Sequence, residues 1–480
     1  MKKKMITTNT KKTYTNRMIH TKTLLLTIGT CSTLVLSGCA GSASNTSGIS
    51  SNTAETLVVE SSAQTTTLDS SAAATTNTIS ADSATTITNV TGTSTTDSLI
   101  DTSDLFSDRD LKQTADLSDA VYYTVTDESD IHITEAGVYV LSGTAKDVTI
   151  YVEADSDAKV QLVLDGLNLT NADFPCIYVT KADKVFVTTS SDSSLSVTGT
   201  FVQDGDTNTD GVIFSRSDLV LNGTATLTVS STDNGIVCKD DLKVTGGSYN
   251  ITASSKAFEA NDSILIADGT FNLTAGTDGL HAENEEDDTK GYIYINSGSF
   301  TINAGDDGIH AISVVQIDGG TFTIKAAEGI EGTYIQINDG TINIQASDDG
   351  INAAKKSNSY RPTGESNGGD INVVMGAGDT DGIDSNGDIY VNGGTINVTG
   401  NSTFDYDGNA EYNGGTIIVN GEQVQTIPNQ MMGGGRGGFG GMNGNGNFSG
   451  NTDMNGNGGF GGNGNMNGNS GSMKGRGNRQ

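Results

Sequence analysis

The chain has no tryptophan, only three prolines in 480 residues, and four cysteines. Its charge is one-sided, with 26 Lys and Arg against 58 Asp and Glu. Scarce proline leaves strand ladders uninterrupted, because proline removes a ladder donor. Scarce basic charge argues against nucleic acid as a partner, since phosphate needs positive counter-charge. No cysteine spacing fits a metal-thiolate site, and no stretch shows a convincing helical period. The one sustained apolar run, Leu24 to Leu36, is shorter than the roughly 20 residues of a spanning helix.

That run follows Lys2, Lys3, Lys4, Lys11, Lys12, Arg17 and Lys22 and ends in Leu36-Ser37-Gly38-Cys39. Basic residues before a short apolar run read as a secretory signal, and its last four residues resemble a bacterial lipobox. The expectation is a signal over residues 1–38, lipid on Cys39, and display on the outer face of the cell membrane. Membrane contact would then pass only through the lipid. A signal cut elsewhere or a short membrane anchor are the alternatives, and each also exports the protein. Removing residues 1–38 leaves 19 basic against 58 acidic residues, a balance suited to solubility and to cations. Cys31 leaves with the signal, so Cys176 and Cys238 remain, either as one disulfide or as small buried hydrophobes.

Residues 39–104 are dominated by Ser, Thr, Ala and Asn, and residues 428–480 by Gly, Asn and Met. Neither composition buries enough apolar surface to offset chain entropy. They are expected to be a disordered stalk and a disordered tail around a domain at 105–427. Within that domain β-branched residues alternate with polar ones and the turns are rich in Gly, so the class is all-β.

A repeat of typically 21 to 24 residues punctuates the domain. Acidic-Gly turns mark it at Asp278-Gly279, Asp307-Gly308, Glu328-Gly329, Asp349-Gly350 and Asp381-Gly382. Three short strands per unit of about 22 residues indicate a parallel β-helix solenoid, since propeller blades need about twice that length. Alternation turns Ile309, Ala311, Val315, Ile317, Phe322 and Ile324 inward. Phe271, Phe300, Phe322, Ile342 and Ile396 form one interior column. Val138 to Leu141, Val148 to Val152, Val160 to Leu164, Ile177 to Val179 and Val185 to Val187 supply earlier, less regular coils, and residues 405–420 the last.

Stacked turns stack their carboxylates. Like charges about 4.8 Å apart repel by about 1 kcal/mol in water and by several at lower effective dielectric. One column contains Asn234, Asp278, Asp307, Glu328, Asp349 and Asp381. A second, three residues on, contains Val237, His281, His310, Glu331, Asn352 and Asp384, and Asp306 and Asp348 add further oxygens. Calcium takes six to eight such ligands, so the expected metal residues are Asp278, Asp306, Asp307, Glu328, Glu331, Asp348, Asp349, Asp381 and Asp384. His281 and His310 leave a transition metal open. Asp before Gly also suits a tight turn with no metal, but acidity preserved as Glu328 fits that reading less well.

Insertions at Asn284 to Lys290 and Lys355 to Gly369 are expected to protrude beside this face and shape a groove, or else to be tolerated surface loops. Tyr292, Tyr294, Tyr334 and Tyr390 are expected to point outward, where their rings would stack on sugars, with His281, His310 and Asn352 as polar contacts. Tyrosine is also an ordinary strand residue.

Three strings carry a more specific signal: Asn234 to Gly247 (NGIVCKDDLKVTGG), Val160 to Thr170 (VQLVLDGLNLT) and Lys181 to Val187 (KADKVFV). They resemble the clostridial carbohydrate-binding family with a polysaccharide-lyase-like β-helix, over roughly 130 to 420. The resemblance implies a calcium-containing, right-handed parallel β-helix on the cell surface. It also implies binding of plant-type polysaccharide, including polygalacturonate and possibly cellulose, without established lyase action. Cys238 departs from the Ser often found there. Two other functions compete. A lyase would add a base, with Lys239, Lys325, Lys355, Lys356 and Arg361 as candidates, and calcium to acidify the proton it removes. A surface adhesin or spacer would use the solenoid only as a rod.

Overall fold

The computed structural model describes residues 99–377 and 380–429. The expected signal, Cys39, nearly all of the stalk and the tail from 430 onward lie outside the described residues. Among the described residues there is no helix, and every strand pairing is parallel except the last. The chain is an all-β parallel solenoid.

Local sequence explains each coil. In Thr321–Ala326 the residues are alternately exposed and buried, with Phe322, Ile324 and Ala326 inside. The strand repeats as Ser248–Ala253, Thr270–Ala275, Ser299–Ala304, Thr321–Ala326, Thr341–Ala346, Asp370–Met375, Thr395–Thr399 and Thr416–Val419, each paired in register with the next. Register superimposes like on like, so the interior is a set of ladders. Phe271, Phe300 and Phe322 stack with centroids 4.5 Å apart and planes 2° from parallel. Ile342, Ile371, Ile396 and Ile417 continue that column. All six inward residues expected for the 307–324 coil are buried. At a turn, Asn338, Asn367, Asn392 and Asn413 form an amide ladder with links of 2.8 to 2.9 Å, satisfying polar groups that stacking would otherwise leave without partners.

The repeat is less uniform than a single period suggests. Register separates Ser248 from Thr270, and Ser299 from Thr321, by 22 residues. It separates Thr270 from Ser299, and Thr341 from Asp370, by 29. These two 29-residue coils carry the insertions, and an earlier coil, from Ser193 to Leu227, spans 34. Cys176 and Cys238 are buried and free, so the small-hydrophobe alternative holds. At the C-terminal end Glu422–Val424 folds back antiparallel on Thr416–Val419, covering an edge that would otherwise template further pairing.

Two boundaries of function follow from the N-terminal segment, which packs where the stalk was expected to continue. Leu99, Ile100 and Leu105 lie buried with Tyr292, Tyr294, Tyr334, Tyr360, Leu265 and Val314. The Leu99 and Ile100 amides donate to Gln336 Oε1 and Gln316 Oε1 at 3.0 and 2.7 Å. The packed domain thus begins by residue 99 rather than at 105. The four tyrosines do leave the coil interior, but this strap covers Tyr292, Tyr294 and Tyr334, and Tyr390, outside that cluster, is itself only 2% exposed. Tyr294 donates to Asp318 at 2.9 Å and Tyr334 to Glu365 at 2.5 Å. Tyr292, Tyr294, Tyr334 and Tyr390 are therefore not sugar platforms. Strand alternation distinguishes inside from outside, but it cannot show that a remote segment covers the outside.

Candidate functional site

Register builds one outer column from twelve residues: His132, Tyr151, Tyr178, Phe214, Val237, Glu259, His281, His310, Glu331, Asn352, Asp384 and Asp405. It is aromatic at the N-terminal end, mixed in charge at the centre and acidic at the C-terminal end. The second column expected from sequence is its C-terminal half, with Glu259 and Asp405 as additional members. In the coil of Glu259, Lys256-Ala257 stands where the later coils carry an acidic-Gly pair, so the turn chemistry there does not point to the carboxylate two residues on.

The marker column runs beside it. Asp307 pairs with Glu328, and the amides of Gly279, Gly329 and Gly350 donate to the carbonyls of Asp307, Asp349 and Asp381, each at 2.9 Å. These glycines are needed for closeness. A β-carbon on Gly279 would lie 2.5 Å from Gly308 O and 2.6 Å from Ile302 Cγ2. The acidic side chains do not form one cage. Asp306 and Asp348 are exposed, whereas Asp278, Asp307 and Glu331 are buried.

At the centre the protein supplies its own cations. His310 Nδ1 lies 2.6 Å from Asp307 Oδ2 and 2.9 Å from Glu331 Oε2, and Lys356 Nζ lies 2.9 Å from Glu331 Oε1. Burial alone would lower the His310 pKa. The two carboxylates outweigh burial and hold it up at about 10. Burial also works against Glu331 ionisation, but His310 and Lys356 hold this carboxyl below its ordinary range. One coil back, His281 Nδ1 lies 2.8 Å from Asp278 Oδ2 but off the line of a hydrogen bond. The two imidazoles stack at 4.7 Å. His310 and Asn352 are thus engaged with carboxylates, while His281 also borders a cleft.

Toward the C-terminal end the charge is uncompensated. Burial, then the charges of Glu331, Asp307 and Asp349, push Glu328 up to about 8 despite a hydrogen bond from Asn352. Burial and neighbouring carboxylates likewise raise Asp349 to about 6 and Asp384 to about 7. The Asn352 amide donates to Glu328 Oε2 at 3.0 Å, so its Oδ1 is an acceptor, yet among the described residues that buried atom has no donor. In the paired strands Asn352 lies between Glu331 and Asp384. Acceptors facing acceptors fit a cation, and the donor set is all oxygen, as calcium requires.

Beside the centre is an open cleft of about 780 Å³, lined by Lys239, Lys256, Glu259, Asp262, His281, Glu283 and the 284–287 insertion. Asn284 and Lys290 anchor that insertion on Asp262 at 2.7 and 2.5 Å. The other insertion clasps it: Ser357 Oγ donates to Asp288 O at 2.6 Å, and the Asn358 amide to Asp288 Oδ2 at 3.1 Å. The first insertion therefore lines the cleft, and the second braces it from behind without lining the cleft itself. Three of the basic residues considered as lyase bases are held by acids: Lys239 by Glu259 at 2.6 Å, Lys356 by Glu331, and Arg361 by Asp388 at 2.5 Å. Lys325 and Lys355 are exposed.

Sequence reading also missed the aromatic end. His132 is exposed and stacks on the partly exposed Tyr151 at 4.8 Å and 7°, with Phe174 6.2 Å from Tyr151. The coil length there is irregular, 36 residues from Ile177 to Ile213 and 23 from Ile213 to Ile236, so sequence spacing does not reveal the column upstream of Val237.

A parallel β solenoid with a polar groove and an acidic ladder along one outer face defines the class. The chain belongs to the carbohydrate-binding domain-containing protein family, whose model matches residues 127–377. A carbohydrate-binding domain-containing protein of Acetivibrio thermocellus is 38% identical over 170 residues, 34% of this chain and 59% of that relative. The match thus spans less than two thirds of the relative's length. The solved structure of a polysaccharide lyase-like protein from C. thermocellum, a gadolinium derivative, is similar with a TM-score of 0.35 and 23% identity. That similarity covers 65% of this chain and 97% of the other.

Proposed function

We propose that this protein is a lipid-anchored, cell-surface domain of right-handed winding that binds polysaccharide, with calcium at the acidic end of its outer column. The observation that carries the metal is Asn352 Oδ1, a buried acceptor without a donor among the described residues; Asn352 is paired in register with Asp384 and close in sequence to Asp349. Asp349, Asn352, Asp381 and Asp384 supply the protein ligands, and waters or ligand oxygens complete the shell. Membership of a carbohydrate-binding family supports a glycan as the ligand. An acidic glycan such as polygalacturonate suits the metal, because calcium with open coordination positions can take a uronate carboxylate oxygen as a further ligand. The cleft at Glu259 and Asp262 offers hydroxyl partners, and exposed His132 and Tyr151 offer apolar ring surface.

Isothermal titration of the full chain with polygalacturonate, in calcium and in chelator, tests the reading. Binding in calcium that vanishes in chelator supports it, and undiminished binding in chelator excludes the metal bridge.

A further inference from the structure

The centre of the column differs chemically from its acidic end. Asp307 and His310 project from one coil and Glu331 from the next, and one ligand atom from each lies within 4.8 Å of the other two. His310 Nδ1 is shared between the two carboxylate oxygens at 2.6 and 2.9 Å. Asp307 and Glu331 are 5% and 4% exposed, so this is not an ordinary solvated acidic cluster. The arrangement recurs one coil earlier. The sequence Asp278-Gly279-Leu280-His281 repeats as Asp307-Gly308-Ile309-His310. There His281 is 7% exposed, and its Nδ1 lies 2.8 Å from Asp278 Oδ2 but off the line of a hydrogen bond.

We infer that Asp307, His310 and Glu331 form a binding site for a first-row transition divalent cation, of which zinc is the simplest, separate from any calcium at the acidic end. Calcium selects oxygen donors and gains little from imidazole, whereas zinc takes imidazole nitrogen and carboxylate oxygen together. Three protein donors leave a fourth position for water or a ligand oxygen, as in open zinc sites. The ion replaces the Nδ1 proton, which leaves to solvent, and it joins two successive coils through Glu331. This inference does not need the glycan reading or calcium, because the donors lie at the centre of the column.

The test uses the full chain stripped with chelator and then titrated with zinc in excess calcium. The expected result is uptake of one zinc that calcium does not displace, with proton release measured by repeating the calorimetry in buffers of different ionisation enthalpy. Cobalt should give the absorption bands of a low-coordinate site. His310→Gln and Glu331→Gln should each weaken zinc by at least about tenfold, while Asp155→Asn, at an exposed position away from both sites, leaves it unchanged. Zinc displaced by equal calcium, or uptake unaltered in both His310→Gln and Glu331→Gln, overturns the inference and leaves a protonated ion-pair triad. Because the wild-type competition stands alone, poor folding of a variant does not decide the matter. Loss of calcium-dependent polygalacturonate binding alone would count against the proposed function and not against this site.

Discussion

His310 Nδ1 lies 2.9 Å from Glu331 Oε2, one coil away, and the same nitrogen contacts Asp307 in its own strand. A ladder that would repel itself is thereby held together at its centre by a buried imidazolium. In the metal-free chain the folded pKa of His310, about 10, lies above the ordinary 6.5. Its stabilisation is complete below about pH 6.5 and is lost as pH rises through 10. His310→Gln should cost about 3 kcal/mol at pH 6, since it leaves buried carboxylates without their partner. Thermal unfolding of both chains in chelator, from pH 6 to 10.5, should show the gap narrowing at the alkaline end.

The acidic end has the opposite need. Glu328, Asp349 and Asp384 are raised to about 8, 6 and 7. The fold thus favours their protonated forms, and the stability they contribute is present in acid and lost as pH climbs through those values. In the proposed function calcium would take over the proton's role. Its stabilisation, about 2.7 kcal/mol at a hundredfold excess over Kd, should appear at pH 8 and largely disappear at pH 5. Differential scanning calorimetry with and without calcium at the two pH values checks this.

Backbone closeness at the acidic-Gly turns gives a third expectation. The β-carbon of Gly279→Ala would lie 2.5 Å from Gly308 O, backbone that cannot step aside cheaply. Overpacking of this kind costs about 1 to 3 kcal/mol, measurable by urea unfolding. An equal substitution at Gly364, where a β-carbon meets nothing within 4 Å, should be mild.

The strap makes a fourth. Ile100 is 1% exposed among the outer tyrosines. Ile100→Ala should lower stability by about 2 to 4 kcal/mol, the range for truncating a buried aliphatic side chain. Tyrosine fluorescence should follow the loss, as Tyr292, Tyr294 and Tyr334 become wetter. Unchanged stability would mean that the strap is not packed in solution.

Much of this was legible in sequence because a solenoid writes its structure locally. Alternation in Thr321 to Ala326 gave the inward faces, and repeated Phe271, Phe300 and Phe322 gave a core ladder whose rings do stack. The Asp and His columns were likewise visible once the turns were aligned. Legibility failed where contacts are remote in sequence. Nothing near Tyr334 announces that Leu99, 235 residues earlier, covers it. Nor does a list of acids reveal that His310 and Lys356 neutralise Glu331 while Asp384 is left among like charges. Glu259 is hidden because Lys256 replaces the acid of its turn although Ala257 aligns with the marker glycines, and the His132–Tyr151 pair because its coils carry no marker glycine.

The most direct measurement is equilibrium dialysis of calcium against the full chain, comparing wild type with the Asp349→Asn, Asp384→Asn double variant at pH 8. At least one calcium held by wild type and lost by the double variant is the predicted result. No bound calcium in wild type, or the same occupancy in both, would contradict a cation site at the acidic end of the column.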